Sequence, residues 1–153
     1  MISLDLPLKL FSWGKIMHSY FLFVLFMLLS SRYAKTTQVG SGIHLRLRSR
    51  AFVFQDEDTS KTVGFVSIDA GMASDIIKMK VVTKLATLLP GVFNDDNLCI
   101  SGTHTHSGPG GFLQYVVYQI STYGWFVDTV NTMVDGIAAS VVNGKFNSSI
   151  AFF

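Results

Sequence analysis

Residues 50–89 read RAFVFQDEDTSKTVGFVSIDAGMASDIIKMKVVTKLATLL, and this stretch decides the fold. Arg50-Ala-Phe-Val-Phe-Gln55 is rich in the aromatic and β-branched residues that suit a pleated surface. Asp56-Glu-Asp-Thr-Ser-Lys61 is a polar turn, and Thr62-Val-Gly-Phe-Val-Ser-Ile68 is a second strand, so the pair reads as a hairpin. Ser74 stands where an N-cap belongs and predicts a helix from Asp75 to about Leu89. Ile77, Val81, Leu85 and Leu88 recur at three- and four-residue spacing and make one apolar face, while Lys78, Lys80 and Lys84 mostly take other faces. Pro90-Gly91 ends the helix.

Toward the C-terminus, Asn94-Asp-Asp-Asn97 is a turn and Leu98-Cys-Ile-Ser101 a short buried strand. The loop Gly102-Thr-His-Thr-His-Ser-Gly-Pro-Gly-Gly111 follows. Helices are expected from about Phe112 to Ser121 and from about Phe126 to Val142. Strands alternating with helices predict an α/β fold, and two consecutive strands before the first helix predict a mixed sheet with helices. Sites in such folds lie at the carboxyl ends of strands. Asp69 and the His104 loop both follow predicted strands and are expected to meet at one edge.

Toward the N-terminus the character changes. Tyr20 to Leu29 (YFLFVLFMLL) is unbroken and apolar, with Lys9 and Lys15 before it and Ser30, Ser31 and Ala34 after it. Residues 1–36 therefore read as a leader with the order of a signal peptide, its apolar region at 20–29. A bilayer span needs roughly 20 apolar residues, which makes a membrane anchor the weaker reading. A buried core strand or helix is the alternative.

The whole chain has 153 residues, enough for one modest domain. Hydrophobic residues at 49% and charged residues at 14% exclude a disordered tail. A net charge of +2 gives no case for a nucleic-acid partner. Cys99 is the one cysteine, so an internal disulfide and a cysteine-rich zinc site are excluded. Set between Leu98 and Ile100, it reads as a small buried hydrophobe.

Thr103-His104-Thr105-His106 carries the chemistry. In an extended chain side chains alternate, so His104 and His106 would face one way with backbones about 7 Å apart, from a rise of about 3.3 Å per residue. One can bind a metal while the other meets substrate or passes a proton. The glycines of Ser107-Gly-Pro-Gly-Gly111 let the chain turn sharply and a ligand come close. The N–H groups of a helix starting just beyond would favour negative charge there. Spacing alone is a weak zinc signal and favours histidines that bind nothing, since zinc needs three or four ligands. His44 is a further candidate or a surface residue. Asp69 either orients a ligand histidine through its second nitrogen or closes a turn. Arg46, Arg48 and Arg50 line a solvated strand face or an anion site. Ser107 lacks the Gly-x-Ser-x-Gly elbow of a serine nucleophile.

Three stretches taken together carry a resemblance. They are Ser41-Gly-Ile-His-Leu-Arg-Leu-Arg-Ser-Arg-Ala-Phe52, Val66-Ser-Ile-Asp-Ala-Gly-Met72 and Ile100-Ser-Gly-Thr-His-Thr-His-Ser-Gly-Pro-Gly-Gly111. In this order and at these intervals the chain resembles the neutral ceramidases, most nearly those of plants. Phe112-Leu-Gln-Tyr-Val-Val-Tyr118 and Met133-Val-Asp-Gly-Ile137 continue the likeness. The resemblance implies zinc-dependent hydrolysis of the N-acyl amide bond of ceramide, giving sphingosine and a fatty acid. It implies that His104 is a zinc ligand, that His106 is catalytic, and that Gly110 and Gly111 lie against substrate. The family's other ligands, a second histidine, a glutamate and a tyrosine, belong further along than Phe153. The expectation is therefore that residues 38–142 are an incomplete portion of a larger catalytic domain, with 143–153 a divergent tail holding the sequon Asn147-Ser-Ser149. Such a fragment is expected to be inactive alone and to expose sheet edges and apolar faces. A sphingolipid substrate, a membrane surface as partner and a secretory-pathway location complete what the resemblance and the leader imply. The alternative is a non-catalytic, membrane-associated remnant of a ceramidase gene.

Overall fold

The computed structural model describes Ser31–Arg32, Lys35–Val39 and residues 45–146. The apolar run Tyr20–Leu29, His44 and the sequon at Asn147 lie outside the described residues. Strands β1 (Ser31–Arg32) and β2 (Lys35–Val39) pair antiparallel as a small separate sheet.

The hairpin forms where the alternation predicts it. Strand β3 (Ser49–Gln55) runs antiparallel to β4 (Thr62–Ile68), with Phe52 opposite Phe65. Asp56 closes the turn by accepting from the N–H groups of Asp58 and Thr59. Helix α1 (Asp75–Leu88) follows, and the chain returns as β5 (Leu98–Gly102) parallel to β4. The order β3-β4-β5 is thus a mixed sheet. Helix α2 (Val116–Ser121) and helix α3 (Val127–Phe146) complete the chain.

One face of the sheet carries the core. Thr62, Gly64, Val66 and Ile68 of β4 are buried, as the period of two requires. Val66 and Ile68 join Ile77, Val81 and Leu85 of α1 and Val130, Val134, Ile137 and Val141 of α3 in one cluster. Gly64 has no room for a side chain, because a Cβ there would stand 2.8 Å from Leu98 and 2.9 Å from Phe93. Gly144 likewise brings α3 down onto the Ala51 carbonyl of β3.

Several expectations need correction. Cys99 is exposed, not buried. It pairs with Phe65, whose side of the sheet has no covering layer among the described residues. Phe52 and Phe54 of β3 and Val63 of β4 are also exposed. Leu88 is exposed, and Leu89, which has left the helix, takes its place in the core. Ser74 does occupy the N-cap, but its hydroxyl makes no capping bond. It turns instead toward the Phe112 carbonyl and the Gln114 side chain. The helix expected from Phe112 starts only at Val116 and has six residues. Phe112 and Leu113 are fully buried anchors in an irregular segment, which burial favours over a helical turn here. Helix α3 runs on to Phe146, past the expected boundary at 142.

Candidate active site

Because β4 and β5 are parallel, their carboxyl ends lie at the same edge of the sheet. The segment after β4 is Asp69-Ala-Gly-Met72, and the segment after β5 is the histidine loop. The Ile68 carbonyl ties the two together by accepting from Thr103 N–H and Ala70 N–H, each at 2.9 Å. Gly102 makes the contact possible. A Cβ on it would sit 3.0 Å from the Ala70 carbonyl oxygen and 3.1 and 3.2 Å from the Met72 backbone. The expected meeting of Asp69 and the His104 loop at one edge is what the fold shows.

The histidines converge by a route other than an extended strand. The strand stops at Gly102, and His104 adopts a left-handed backbone with φ 61°. That conformation is uncommon for a residue with a side chain and persists only where its surroundings hold it. Two contacts hold it here. His104 Nδ1 lies 2.7 Å from the Gly71 carbonyl oxygen, and the His104 ring meets the His106 ring edge to face at 5.0 Å. A carbonyl only accepts, so Nδ1 carries the hydrogen, and in the neutral ring it is Nε2 that has the lone pair. Both histidines are exposed.

Asp69 does not reach the imidazole. Its carboxylate accepts from both terminal nitrogens of Arg50, at 2.9 and 3.2 Å, and from the Arg48 N–H at 2.9 Å. Its own N–H donates back to the Arg48 carbonyl. The Arg50 guanidinium holds the Asp69 carboxyl below the ordinary carboxylate value, and the Arg48 N–H acts in the same direction. Arg50 is thus ion-paired with Asp69. The residue that orients His104 is Gly71, through its backbone. A side-chain reading passes over it; the signal was the glycine directly after Asp69-Ala70 in a strand-end loop.

Beyond His106 the loop folds inward. Ser107 is exposed, while Pro109, Gly110 and Gly111 are buried. Gly111 has φ 74°, and a Cβ on it would fall 2.0 Å from the Phe126 ring. Its carbonyl accepts from Phe126 N–H. Packing under α3 is therefore reason enough for its lack of a side chain. Helix α2 starts too late and is too short to aim its N-terminus at the histidines as expected. A largely apolar cleft of about 410 Å³ touches the two loops at Asp69 and Pro109, and is lined by Leu45, Leu47, Phe112 and Met133 among others.

A zinc ion takes three or four nitrogen, oxygen or sulfur ligands. Among the described residues no group of three or more His, Cys, Asp or Glu comes together to hold one. The free Nε2 of His104 fits one such ligand; the number of donors does not fit a complete site.

Comparison with known proteins gives the geometry its context. A family model described as "Neutral/alkaline non-lysosomal ceramidase, N-terminal" matches residues 28–150. The chain is 48% identical over 115 residues to "Neutral ceramidase" of Oryza sativa subsp. japonica, covering 75% of this chain and 14% of that protein. It is 44% identical over 115 residues to "Neutral ceramidase 3" of Arabidopsis thaliana, covering 75% of this chain and 16% of that one. A solved structure titled "Ceramidase complexed with C2" superposes with a TM-score of 0.71 at 37% identity, over 74% of this chain and 18% of that chain. The chain thus spans about 14–18% of the length of these relatives and corresponds to part of a domain.

Proposed function

The chain belongs to the neutral/alkaline non-lysosomal ceramidase family, and from that premise we propose that it carries part of a zinc amidase site for the N-acyl bond of ceramide. The observation that supports this most is the paired presentation of His104 and His106 at the carboxyl edge of β4 and β5. In this reading His104 offers Nε2 as one zinc ligand, and the remaining ligands come from outside the described residues. Bound zinc would polarise the amide carbonyl and lower the pKa of water. His106, beside it and open to solvent, contacts substrate or moves a proton. The backbone at Gly110 and Gly111 borders the bound lipid. Membrane contact and a secretory route belong to the same reading.

The donor shortage among the described residues supports a second element, that the 153-residue chain alone binds zinc weakly and does not hydrolyse ceramide. A chimera tests the reaction directly. Residues 45–146 replace the matching segment of the Pseudomonas aeruginosa "Neutral ceramidase", which is 38% identical over 109 residues. Ceramide hydrolysis by the chimera, abolished by His104→Ala and cut at least a hundredfold by His106→Ala on the usual worth of a proton-transfer group, is the expected result. A chimera whose activity survives both substitutions overturns the assignment.

The non-catalytic, membrane-associated alternative has one observation in its favour. Val116, Val117 and Ile120 of α2 are 70–75% exposed on one short helix. Flotation of the 153-residue chain with neutral vesicles, lost on Val117→Asp, would support it; an unbound chain would remove it.

A further inference from the structure

The contacts around Asp69 form a relay that ends on an imidazole nitrogen. We infer that Arg50 and Asp69 are positioning residues for His104: by fixing the Asp69–Met72 loop, they hold the Gly71 carbonyl where it locks His104 in the Nδ1–H form. The inference rests on the reading above that His104 works through Nε2.

Asp69 is tied to the start of β3 at four points. Three reach its carboxylate, from Arg50 Nη1, Arg50 Nη2 and Arg48 N–H, and the fourth is its own N–H on the Arg48 carbonyl. Two residues later the buried Gly71 turns its carbonyl to His104 Nδ1 at 2.7 Å. The loop has little freedom between these points, since Ala70 is 3% exposed and its N–H is engaged by the Ile68 carbonyl. From the other side, Gly102 lets β5 press against the backbone of Ala70 and Met72. The imidazole is thus set by backbone, and the backbone by a fork of charged hydrogen bonds. A bidentate arginine–carboxylate pair specifies direction as well as attraction. Lysine at position 50 would keep the charge and lose the fork.

A purely stabilising role predicts something different. Arg50 is 46% exposed on its side chain, and ion pairs at such sites contribute little to folding. Removing the pair is therefore expected to leave the chain folded and to free the loop. Without the fixed carbonyl, the His104 ring samples both neutral tautomers.

The experiment is long-range nitrogen–proton NMR on histidine-labelled 153-residue chain, at a pH well above the ordinary imidazole range. In the unsubstituted chain, His104 is expected to show one dominant tautomer, with the hydrogen on Nδ1. In Asp69→Ala and in Arg50→Gln, the two ring-nitrogen resonances of His104 are expected to move toward each other as the populations mix, while circular dichroism stays unchanged. Arg50→Lys is expected to fall between. The inference is overturned if His104 keeps the hydrogen on Nε2 in the unsubstituted chain. It is equally overturned if both substituted chains stay folded with an unshifted His104, or if both fail to fold, which would make the pair structural. None of these outcomes depends on ceramide hydrolysis, so failure here leaves the chimera result standing on its own.

Discussion

Replacing Gly102 by alanine tests how tightly the two loops are packed. The added Cβ would stand 3.0 Å from the Ala70 oxygen, 3.1 Å from Met72 C and 3.2 Å from Met72 Cα. All three atoms are backbone, so no side chain can swing aside. Either the Asp69–Met72 loop retreats by a few tenths of an ångström or β5 does. Overpacking of this kind costs about 1–3 kcal/mol. Alanine returns about 0.4–1 kcal/mol by restricting the unfolded chain. The net expectation is a loss of about 1–2 kcal/mol. Gly136 supplies the matched control. It lies on an exposed turn of α3 with nothing within 4 Å of a built Cβ. Gly136→Ala is expected to gain about 0.5–1 kcal/mol from helix propensity. Urea unfolding of both variants reads the difference as midpoint shifts of opposite sign at constant slope. If Gly102→Ala is as stable as the parent chain or more so, the close approach of the loops is wrong, and with it the placement of the Gly71 carbonyl.

Other expectations follow from the same contacts. The folded-state pKa of Asp69 is depressed by Arg50, so the pair's contribution to stability, small at so exposed a site, is present above the ordinary carboxylate value of about 3.9 and is lost as pH falls below it. Asp69→Asn is therefore expected to flatten the acid limb of a stability–pH curve slightly, and a large flattening would contradict the pair's small part in folding. Gly111→Ala meets the Phe126 ring at 2.0 Å with φ at 74°, and should cost more than Gly102→Ala, about 2–4 kcal/mol, in the same urea assay. Cys99, exposed on the outer face of the sheet, should react with a thiol reagent in the folded chain at a rate near that of the unfolded chain. Strong protection would mean that this face is covered.

Much of this fold was legible because local pattern and tertiary structure agree. The hairpin and the helix from Asp75 follow directly from alternation, turn chemistry and a 3.6-residue stripe. What stayed hidden depends on partners distant in sequence. Val63, Phe65 and Cys99 are apolar on the outward face, so alternation could not say which side of the sheet is covered. Leu98-Cys-Ile reads as a buried run, yet only Leu98 and Ile100 join the core, and Cys99 between them is exposed. Phe112 and Leu113 look like a helix start and act as core anchors, because Gly111 has already turned the chain under Phe126.

The site was half legible in the same sense. Two histidines at alternate positions announce themselves, and the strand-end placement of Asp69 suggested the meeting. The left-handed backbone of His104 left no mark in the residue types, since it is imposed by the loop beneath. The group that orients the imidazole is a carbonyl, which every residue has. Arg50 and Asp69 lie 19 residues apart and come together only because Ser49 registers with Ile68.

The proposed site stands on His104 as a metal ligand and His106 as a residue that does not bind the metal. Zinc content of the purified chimera, measured by elemental analysis after removal of loose metal, tests it most directly. Equimolar zinc is expected in the parent chimera, with zinc retained in His106→Ala and lost from His104→Ala with the fold intact. Full zinc in a folded His104→Ala chimera would contradict it.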